Sequence, residues 1–172
     1  MQSPPSRRQE GGFEKTSKGT RGARVPSSSG RFSRWIGRQM NKRIRRKGGK
    51  FRGMDVLFLT TVGAKTGERR ETPVAWFPDG DQAWLIVASL GGSARNPGWY
   101  HNLAAHPDQV WIEIGNRTLR VVPEQLEGNR RDEGWQRIIT AQPRYANYQK
   151  KTDRVLAVIR LAPADPDDAR VA

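Results

Sequence analysis

The chain has 172 residues, of which 35% are hydrophobic, and it carries a formal net charge of +14 at pH 7. This length suits one domain with a real core, but the low apolar content indicates that part of the chain lies outside that core. The absence of cysteine excludes disulfides, thiolate metal sites and a cysteine nucleophile, in keeping with a reducing compartment. The two imidazoles, His101 and His106, lack obvious further ligands, so no metal site is predicted.

The positive charge is concentrated at the N-terminus. Residues 1–50 hold 15 Lys or Arg and 2 Glu, a net charge of +13, so the rest of the chain is nearly neutral. Residues 1–30 are rich in Ser, Gly, Pro and Arg and are predicted to form a disordered basic tail. The start, "MQSPPSRRQEGG", lacks the hydrophobic stretch of a secretory signal, so a cytoplasmic protein is expected. Its Arg- and Ser-rich character leaves a transit peptide as the second interpretation.

Residues 31–50 are predicted to form a basic amphipathic helix. Apolar residues recur there at helical spacing, with basic residues on the other faces. The apolar positions are Phe32, Trp35, Ile36, Met40 and Ile44. Such a helix either attaches to an anionic lipid surface, here the inner face of the cell membrane, or packs on its own domain or on a second subunit. Both interpretations stay open at this point.

Three predicted strands follow and form an antiparallel meander. The runs "DVLFLTTVG" (55–63), "ETPVAWF" (71–77) and "AWLIVAS" (83–89) are rich in β-branched and aromatic residues and are separated by glycine-containing turns. The turn "VGAKTGERR" carries Lys65, Arg69 and Arg70. It lacks the spacing of a Walker loop, and it either holds an acidic group or simply carries solvated charges.

The stretch "GGSARNPGWYHNL" (91–103) predicts a loop that becomes a helix. Asn96 followed by Pro97 is typical of a helix start, and the first turn then carries Trp99, Tyr100 and Asn102. The paired glycines before it allow close backbone approach or positive φ. The local signals leave two interpretations open, a ligand-facing edge and a plain loop-to-helix junction.

The second half of the chain supplies the remaining strands. A hairpin around Asn116, a helix from Glu127 to about Thr140, a short helix in "QPRYANYQKKTD" and a final strand "RVLAVIRLAP" are predicted. Six strands with few helices predict a small barrel. Tyr145 and Tyr148, three apart on the short helix, either bind a flat ligand or pack in the core. No catalytic triad or carboxylate pair is found, so any chemistry is expected to belong to a bound cofactor.

Three of these stretches, taken in order, resemble the deazaflavin (F420)-dependent nitroreductase and quinone reductase family. They are "LFLTTVGAKTGERRETPV", "VASLGGSARNPGWYHNL" and "YANYQKKTDR", and the resemblance covers about residues 54–162. It implies a mainly β (α+β) fold, a six-stranded antiparallel split β-barrel of the FMN-binding type over residues 51–163, with 164–172 as a C-terminal tail. It also implies an oxidoreductase that transfers a hydride from reduced coenzyme F420 to a quinone, a nitroaromatic or a similar electron-poor acceptor.

The resemblance also implies roles for individual residues. Lys65, Thr66 and Arg70 would face the phosphate and polyglutamate tail, and the paired glycines would let the chain bend past the deazaflavin. Tyr145, Tyr148 and Ser89 would serve the acceptor as catalytic residues. The full set expected to bind the coenzyme is Ala64, Lys65, Thr66, Arg70, Glu71, Thr72, Pro73, Val74, Ala75, Val87, Ala88, Ser89, Leu90, Gly98, Trp99, Tyr100, His101, Asn102 and Tyr145.

Three positions depart from the family pattern. Ala64 and Leu90 stand where the family often has basic residues, which predicts weaker binding of the tail. Gln142 stands where a nitroreductase of this family has a further tyrosine, which favours quinones over nitro compounds as acceptors. Two alternatives remain: the same barrel holding FMN, and a non-catalytic module whose basic N-terminus binds an anionic membrane or nucleic acid. Nucleic acid is the partner we do not expect.

Overall fold

The computed structural model describes residues 13–25 and 31–165, and six antiparallel strands close into a barrel within them. The helices of this part are α1 (Arg31–Arg46), α2 (Gly98–Ala105), α3 (Gly128–Ala141) and α4 (Arg144–Lys151). The strands are β1 (Lys50–Phe51), β2 (Met54–Val62), β3 (Arg69–Pro78), β4 (Trp84–Val87), β5 (Trp111–Ile114), β6 (Arg117–Gln125) and β7 (Val158–Pro163). The barrel order is β2-β3-β4-β7-β6-β5, closed by pairing of β5 with β2, while β1 lies outside it on β2. The predicted six-stranded antiparallel barrel is confirmed.

The strand β2 is buried on both faces, which accounts for its continuous apolar run. Leu57 and Leu59 point into the barrel interior and are fully buried there. The alternate residues Val56 and Phe58 form a second cluster with Ile44 of α1 outside the barrel. Because successive side chains of a strand point to opposite faces, this arrangement requires apolar residues at each position from Val56 to Leu59.

The helix α1 packs on the barrel through its C-terminal half. Ile44 is 3% exposed, and Arg45 donates hydrogen bonds to the carboxylates of Glu71 and Glu113. Met40, on the predicted apolar stripe, is 44% exposed. The side chains of Phe32, Trp35 and Ile36 lie outside the described residues. At Ile44 the helix therefore packs on its own domain, as one of the two interpretations expected. Attachment of this helix to a membrane stays a prediction.

Residues 13–25, here called the N-terminal strap, were predicted to be disordered, and the structure corrects this. The Phe13 ring lies 5.2 Å from the ring of Tyr100, and the backbone N–H groups of Gly19 and Ala23 donate to the carbonyls of Ala94 and Gly92. A polar segment can therefore dock through backbone hydrogen bonds that its composition does not reveal. The predicted tails at residues 1–12, 26–30 and 166–172 lie outside the described residues.

Buried Arg154 holds the loop between β4 and α2. Its guanidinium donates to the carbonyls of Ala88, Ser89 and Ser93 and to Oδ1 of Asn96, at 2.8 to 3.0 Å. Two sequence-based expectations are corrected here. The strand β4 ends at Val87 and not at Ser89, because Arg154 engages the carbonyls of Ala88 and Ser89, and β7 begins at Val158 and not at Arg154. Asn96 is not the cap of α2: its side chain binds Arg154 and the strap, and Pro97 precedes the first helical residue.

No helix in the described residues is long and apolar enough to cross a membrane.

We expect Arg154→Lys to lower the free energy of unfolding by about 2–4 kcal/mol, because an ammonium group cannot reach four acceptors and leaves buried carbonyls without donors. Urea denaturation of the full chain measures this. Arg120→Lys is the matched control, since Arg120 is exposed and also donates to a backbone carbonyl, and it should change the value by less than about 1 kcal/mol. Equal effects of the two substitutions would contradict the role of Arg154.

Candidate functional site

A cavity of about 1260 Å³ opens along β3, between the β2–β3 turn, the loop after β4, α2 and α4. Its wall along β3 and β4 is largely apolar, with Pro73, Val74, Ala75 and Val87 among the lining residues. Ligand pockets of this kind are concave and mainly apolar, with a few polar groups that fix orientation. The size and shape suit an elongated ligand with a flat apolar part.

Basic side chains lie at the end of the cavity that the β2–β3 turn forms. Lys65, Thr66 and Arg70 all line it. Arg70 is oriented by its bond to the carboxylate of Glu68 at 2.7 Å, with Thr66 Oγ1 at 3.5 Å. A Cβ at Gly63 would lie 2.6 Å from Thr66 Oγ1, so a larger residue there would displace the Thr66 side chain. Ammonium and guanidinium groups on a fixed turn suit a phosphate or a carboxylate.

Asn102 joins this turn to α2. Its Oδ1 accepts a hydrogen bond from the backbone N–H of Ala64 at 3.0 Å, and its Nδ2 donates to Oγ1 of buried Thr61, also at 3.0 Å. Both ends of the amide are therefore engaged by the protein. Asn102 was predicted to contact the coenzyme, and the structure indicates that it also positions the cationic turn over the cavity.

The pKa of His101 is affected by the cations at the β2–β3 turn end of the cavity. Its pKa lies below the ordinary value, chiefly because partial burial disfavours the charged form and further because Lys15 and Lys65 repel a proton. His101 is therefore neutral at neutral pH. The same positive field that disfavours its protonation attracts an anionic ligand.

The two tyrosines lie on the α4 side of the cavity. Tyr145 is 5% exposed, and its ring makes edge-to-face contacts with Phe77 and Tyr148, each with ring centres 5.5 Å apart. Burial, with a smaller contribution from Tyr148, raises the pKa of Tyr145 to about 12. The phenol therefore stays protonated at neutral pH and can donate a hydrogen bond.

One residue of the glycine pair before α2 packs closely against α4, while the expected bend of the chain past the deazaflavin stays a prediction. Gly91 and Gly92 do have positive φ, 64° and 84°. A Cβ at Gly92, however, would lie 2.5 Å from the carbonyl oxygen of Tyr148, so the close approach is to α4. This contact holds α4 against the loop that contributes Ser89 and Leu90 to the cavity.

Most of the predicted site residues line this one cavity. They are Ala64, Lys65, Thr66, Arg70, Thr72, Pro73, Val74, Ala75, Val87, Ser89, Leu90, Gly98, Trp99, His101, Asn102, Tyr145 and Tyr148. Three predicted residues are not in the lining. Glu71 binds Asn41 and Arg45 of α1, Ala88 is fully buried in the barrel core, and the buried hydroxyl of Tyr100 lies between Thr16 and Gln125.

Sequence reasoning missed three cations that also line the cavity: Lys15, Arg52 and Arg144. Arg144 directly precedes Tyr145 and donates to the carbonyl of Arg52 at 3.3 Å, so its position beside the tyrosine was a usable signal. Lys15 belongs to the segment that was predicted to be disordered from its composition, and no local sequence pattern indicated that it lies at the cavity.

The fold and the cavity define a class, a ligand-binding β-barrel whose cavity offers cations at one end and phenols beside an apolar wall. Residues 31–163 match the family model described as F420H(2)-dependent quinone reductase. The chain belongs to that family, and the resemblance found in the sequence is confirmed. It is accordingly an oxidoreductase that uses coenzyme F420.

Named relatives and solved structures agree with this assignment. An F420H(2)-dependent quinone reductase of Mycobacterium tuberculosis is 44% identical over 108 residues, which are 61% of this chain and 71% of the relative. The solved structure of an F420-H2 dependent reductase, FDR-A, is 36% identical, with a TM-score of 0.56, over 62% of this chain and 92% of that one. A structure described as a domain-swapped dimer is 33% identical, with a TM-score of 0.57, over 74% of this chain and 96% of that one.

The charge and the shape of the cavity fit the family's coenzyme. An anionic phosphate and carboxylate tail matches the turn of Lys65, Thr66 and Arg70, while a flat deazaflavin matches the apolar wall from Thr72 to Val87. The positive potential at His101 lies on the same side as the turn. Charge and shape thus favour one orientation, with the tail at the turn and the ring system deeper along β3.

Asn102→Ala should weaken binding of F420 by about 5- to 30-fold, because the cationic turn loses its hydrogen bond from Ala64 to α2 and β2 loses the bond at Thr61 beside it. Quenching of deazaflavin fluorescence by the full chain gives the dissociation constant. Asn116→Ala, in the exposed turn between β5 and β6, is the matched control and should leave the constant unchanged. An unchanged constant in the Asn102 variant would show that the turn does not depend on this amide.

Proposed function

We propose that this protein catalyses hydride transfer from reduced coenzyme F420 to a quinone bound in the same cavity. The observation that carries the proposal is the continuity of the cavity. It connects Lys65 and Arg70 at the cationic turn with Tyr145 and Tyr148 on α4. A ligand held at its anionic end along β3 leaves its flat end within reach of a second molecule beside the tyrosines.

Each part of the chain has a distinct task in this proposal. Lys65, Thr66 and Arg70 bind the anionic tail, and the wall along β3 and β4 orients the ring system. When bound, the reduced coenzyme supplies the hydride. The protein holds the acceptor close to it, which is where most of the rate gain from positioning arises.

The acceptor becomes a hydroquinone when it gains one hydride and one proton. Tyr145, Tyr148 and Ser89 line the cavity where they can donate hydrogen bonds to its carbonyl oxygens. A donor placed at the oxygen on which negative charge develops stabilises the transition state. The proton itself comes from one of these hydroxyls or from water.

A quinone is favoured over a nitroaromatic as the acceptor. The position three residues before Tyr145 is Gln142, which ends α3 and accepts the backbone N–H of Tyr145 through its carbonyl. It therefore offers no third phenol above the cavity. Activity on nitro compounds is expected to be weak.

Mixing the purified full chain with reduced F420 and menadione should oxidise the coenzyme well above the protein-free rate. Oxidation with a nitroimidazole in place of menadione should be at least about tenfold slower. The FMN alternative is tested alongside, by titrating the chain with F420 and with FMN. Tighter binding of FMN, or no oxidation of F420 with any of several quinones, would contradict the proposal.

Tyr145→Phe should lower kcat with menadione by about 10- to 100-fold, because a protonated hydrogen-bond donor is lost from the cavity. Since the pKa of this phenol is about 12, kcat of the unchanged protein should show no break from Tyr145 between roughly pH 7 and 10. Tyr148→Phe, measured in parallel, separates the contributions of the two hydroxyls. Unchanged kcat in both variants would exclude the tyrosines as donors.

A further inference from the structure

The N-terminal strap brings a cation to the cavity from outside the barrel. Lys15 lines the cavity together with Lys65 and His101, on the side of the cationic turn. Lys15 and Lys65 both act on the imidazole of His101. Two ammonium groups therefore lie close to the same side chain, although one comes from the barrel and the other from the strap.

The backbone on both sides of Lys15 is held by the barrel. The carbonyl of Glu14 accepts a hydrogen bond from Nε2 of Gln125 at 2.7 Å. The backbone N–H of Thr16 donates to the hydroxyl of Tyr100 at 2.8 Å, and the carbonyl of Thr16 accepts from Nδ2 of Asn96 at 3.1 Å. The hydrogen bonds of Glu14 and Thr16 thus hold the backbone of Lys15 at the rim.

The second half of the strap is anchored just as closely. The carboxylate of Asp153 accepts hydrogen bonds from the hydroxyl of Thr20 and from the backbone N–H groups of Arg21 and Thr20. These bonds, that of the hydroxyl above all, hold the pKa of Asp153 well below the ordinary value. A Cβ at Gly19 would collide with Asp153, and one at Gly22 would collide with the backbone at Ala94. Glycine is therefore required at two strap positions where the chain meets the barrel.

Cations gathered at one rim repel each other unless an anion lies between them. The strap is nevertheless held so that Lys15 adds to the positive potential of Lys65 and Arg70. A phosphate or carboxylate group bound among these side chains would accept charge-assisted hydrogen bonds from more than one of them.

We propose that the N-terminal strap is part of the coenzyme site and that Lys15 binds phosphate or carboxylate oxygens of the deazaflavin tail, opposite Lys65 and Arg70. The identity of the anion rests on the proposed function, whereas the position of the strap does not.

The test compares Lys15→Gln with Lys18→Gln in the full chain. Lys18 is an exposed residue of the same strap and lies outside the cavity lining, so the two variants lose the same charge at different places. Fluorescence titrations use F420 and the deazaflavin that lacks the phosphate and glutamate tail. Lys15→Gln should weaken F420 binding by about 3- to 10-fold at low salt and leave the tail-less compound unaffected. Lys18→Gln should change neither value.

A second variant detaches the strap without removing a cation. Asp153→Ala should expose the strap to trypsin, which cleaves after its Lys and Arg residues, and should weaken F420 binding as Lys15→Gln does. A readout free of coenzyme is the NMR titration of His101, whose pKa should rise in Lys15→Gln and stay unchanged in Lys18→Gln.

The outcomes separate the two proposals. If the unchanged protein binds F420 and Lys15→Gln binds it equally well, the role of Lys15 is overturned while the proposed function stands. Equal weakening by Lys15→Gln and Lys18→Gln would also overturn it, because that result requires only the overall charge. If the unchanged protein binds neither deazaflavin, the proposed function fails, and the His101 titration still decides whether Lys15 lies at the rim.

Discussion

The arrangement of the site depends on one buried cation. Arg154 is 4% exposed, and burial lowers the pKa of its guanidinium, yet its donors meet three backbone carbonyls and the amide of Asn96. A loop between a strand and a helix has few regular partners for its carbonyl groups, and Arg154 supplies them. Through Asn96 the same network reaches Thr16 of the strap. One hydrogen-bond network therefore links the cavity wall, the start of α2 and the strap.

Local patterns were enough to predict the barrel and the cationic turn. The turn glycines and the apolar run of β2 each have a local structural cause, because the conformation of a turn and the two faces of a strand depend on residues close together in the sequence. The resemblance also identified most of the cavity lining. Its three motifs lie on neighbouring elements of the barrel fold, so the fold brings them together. Whether these residues contact the coenzyme is still a prediction.

Sequence reasoning could not predict the docking of the strap or the partners of certain single side chains. Glu71 lies between two residues that line the cavity, yet its carboxylate binds Arg45 of α1. The guanidinium of Arg45 bridges Glu71 and Glu113. Tyr100 follows Trp99 in the predicted ligand-facing turn, yet its hydroxyl is taken by the strap and Gln125. Both outcomes depend on residues far away in the sequence, which no window of neighbouring residues contains.

The location of Lys15 has a thermodynamic consequence. A segment that docks on the barrel and also contributes a ligand to its rim couples two equilibria, and such coupling is reciprocal. If docking of the strap raises the affinity for the coenzyme by a certain factor, binding of the coenzyme raises the equilibrium constant for docking by the same factor. A partner or protease that captures the N-terminus would then act as a competitor of the coenzyme without entering the cavity, and saturation with coenzyme would shield that terminus.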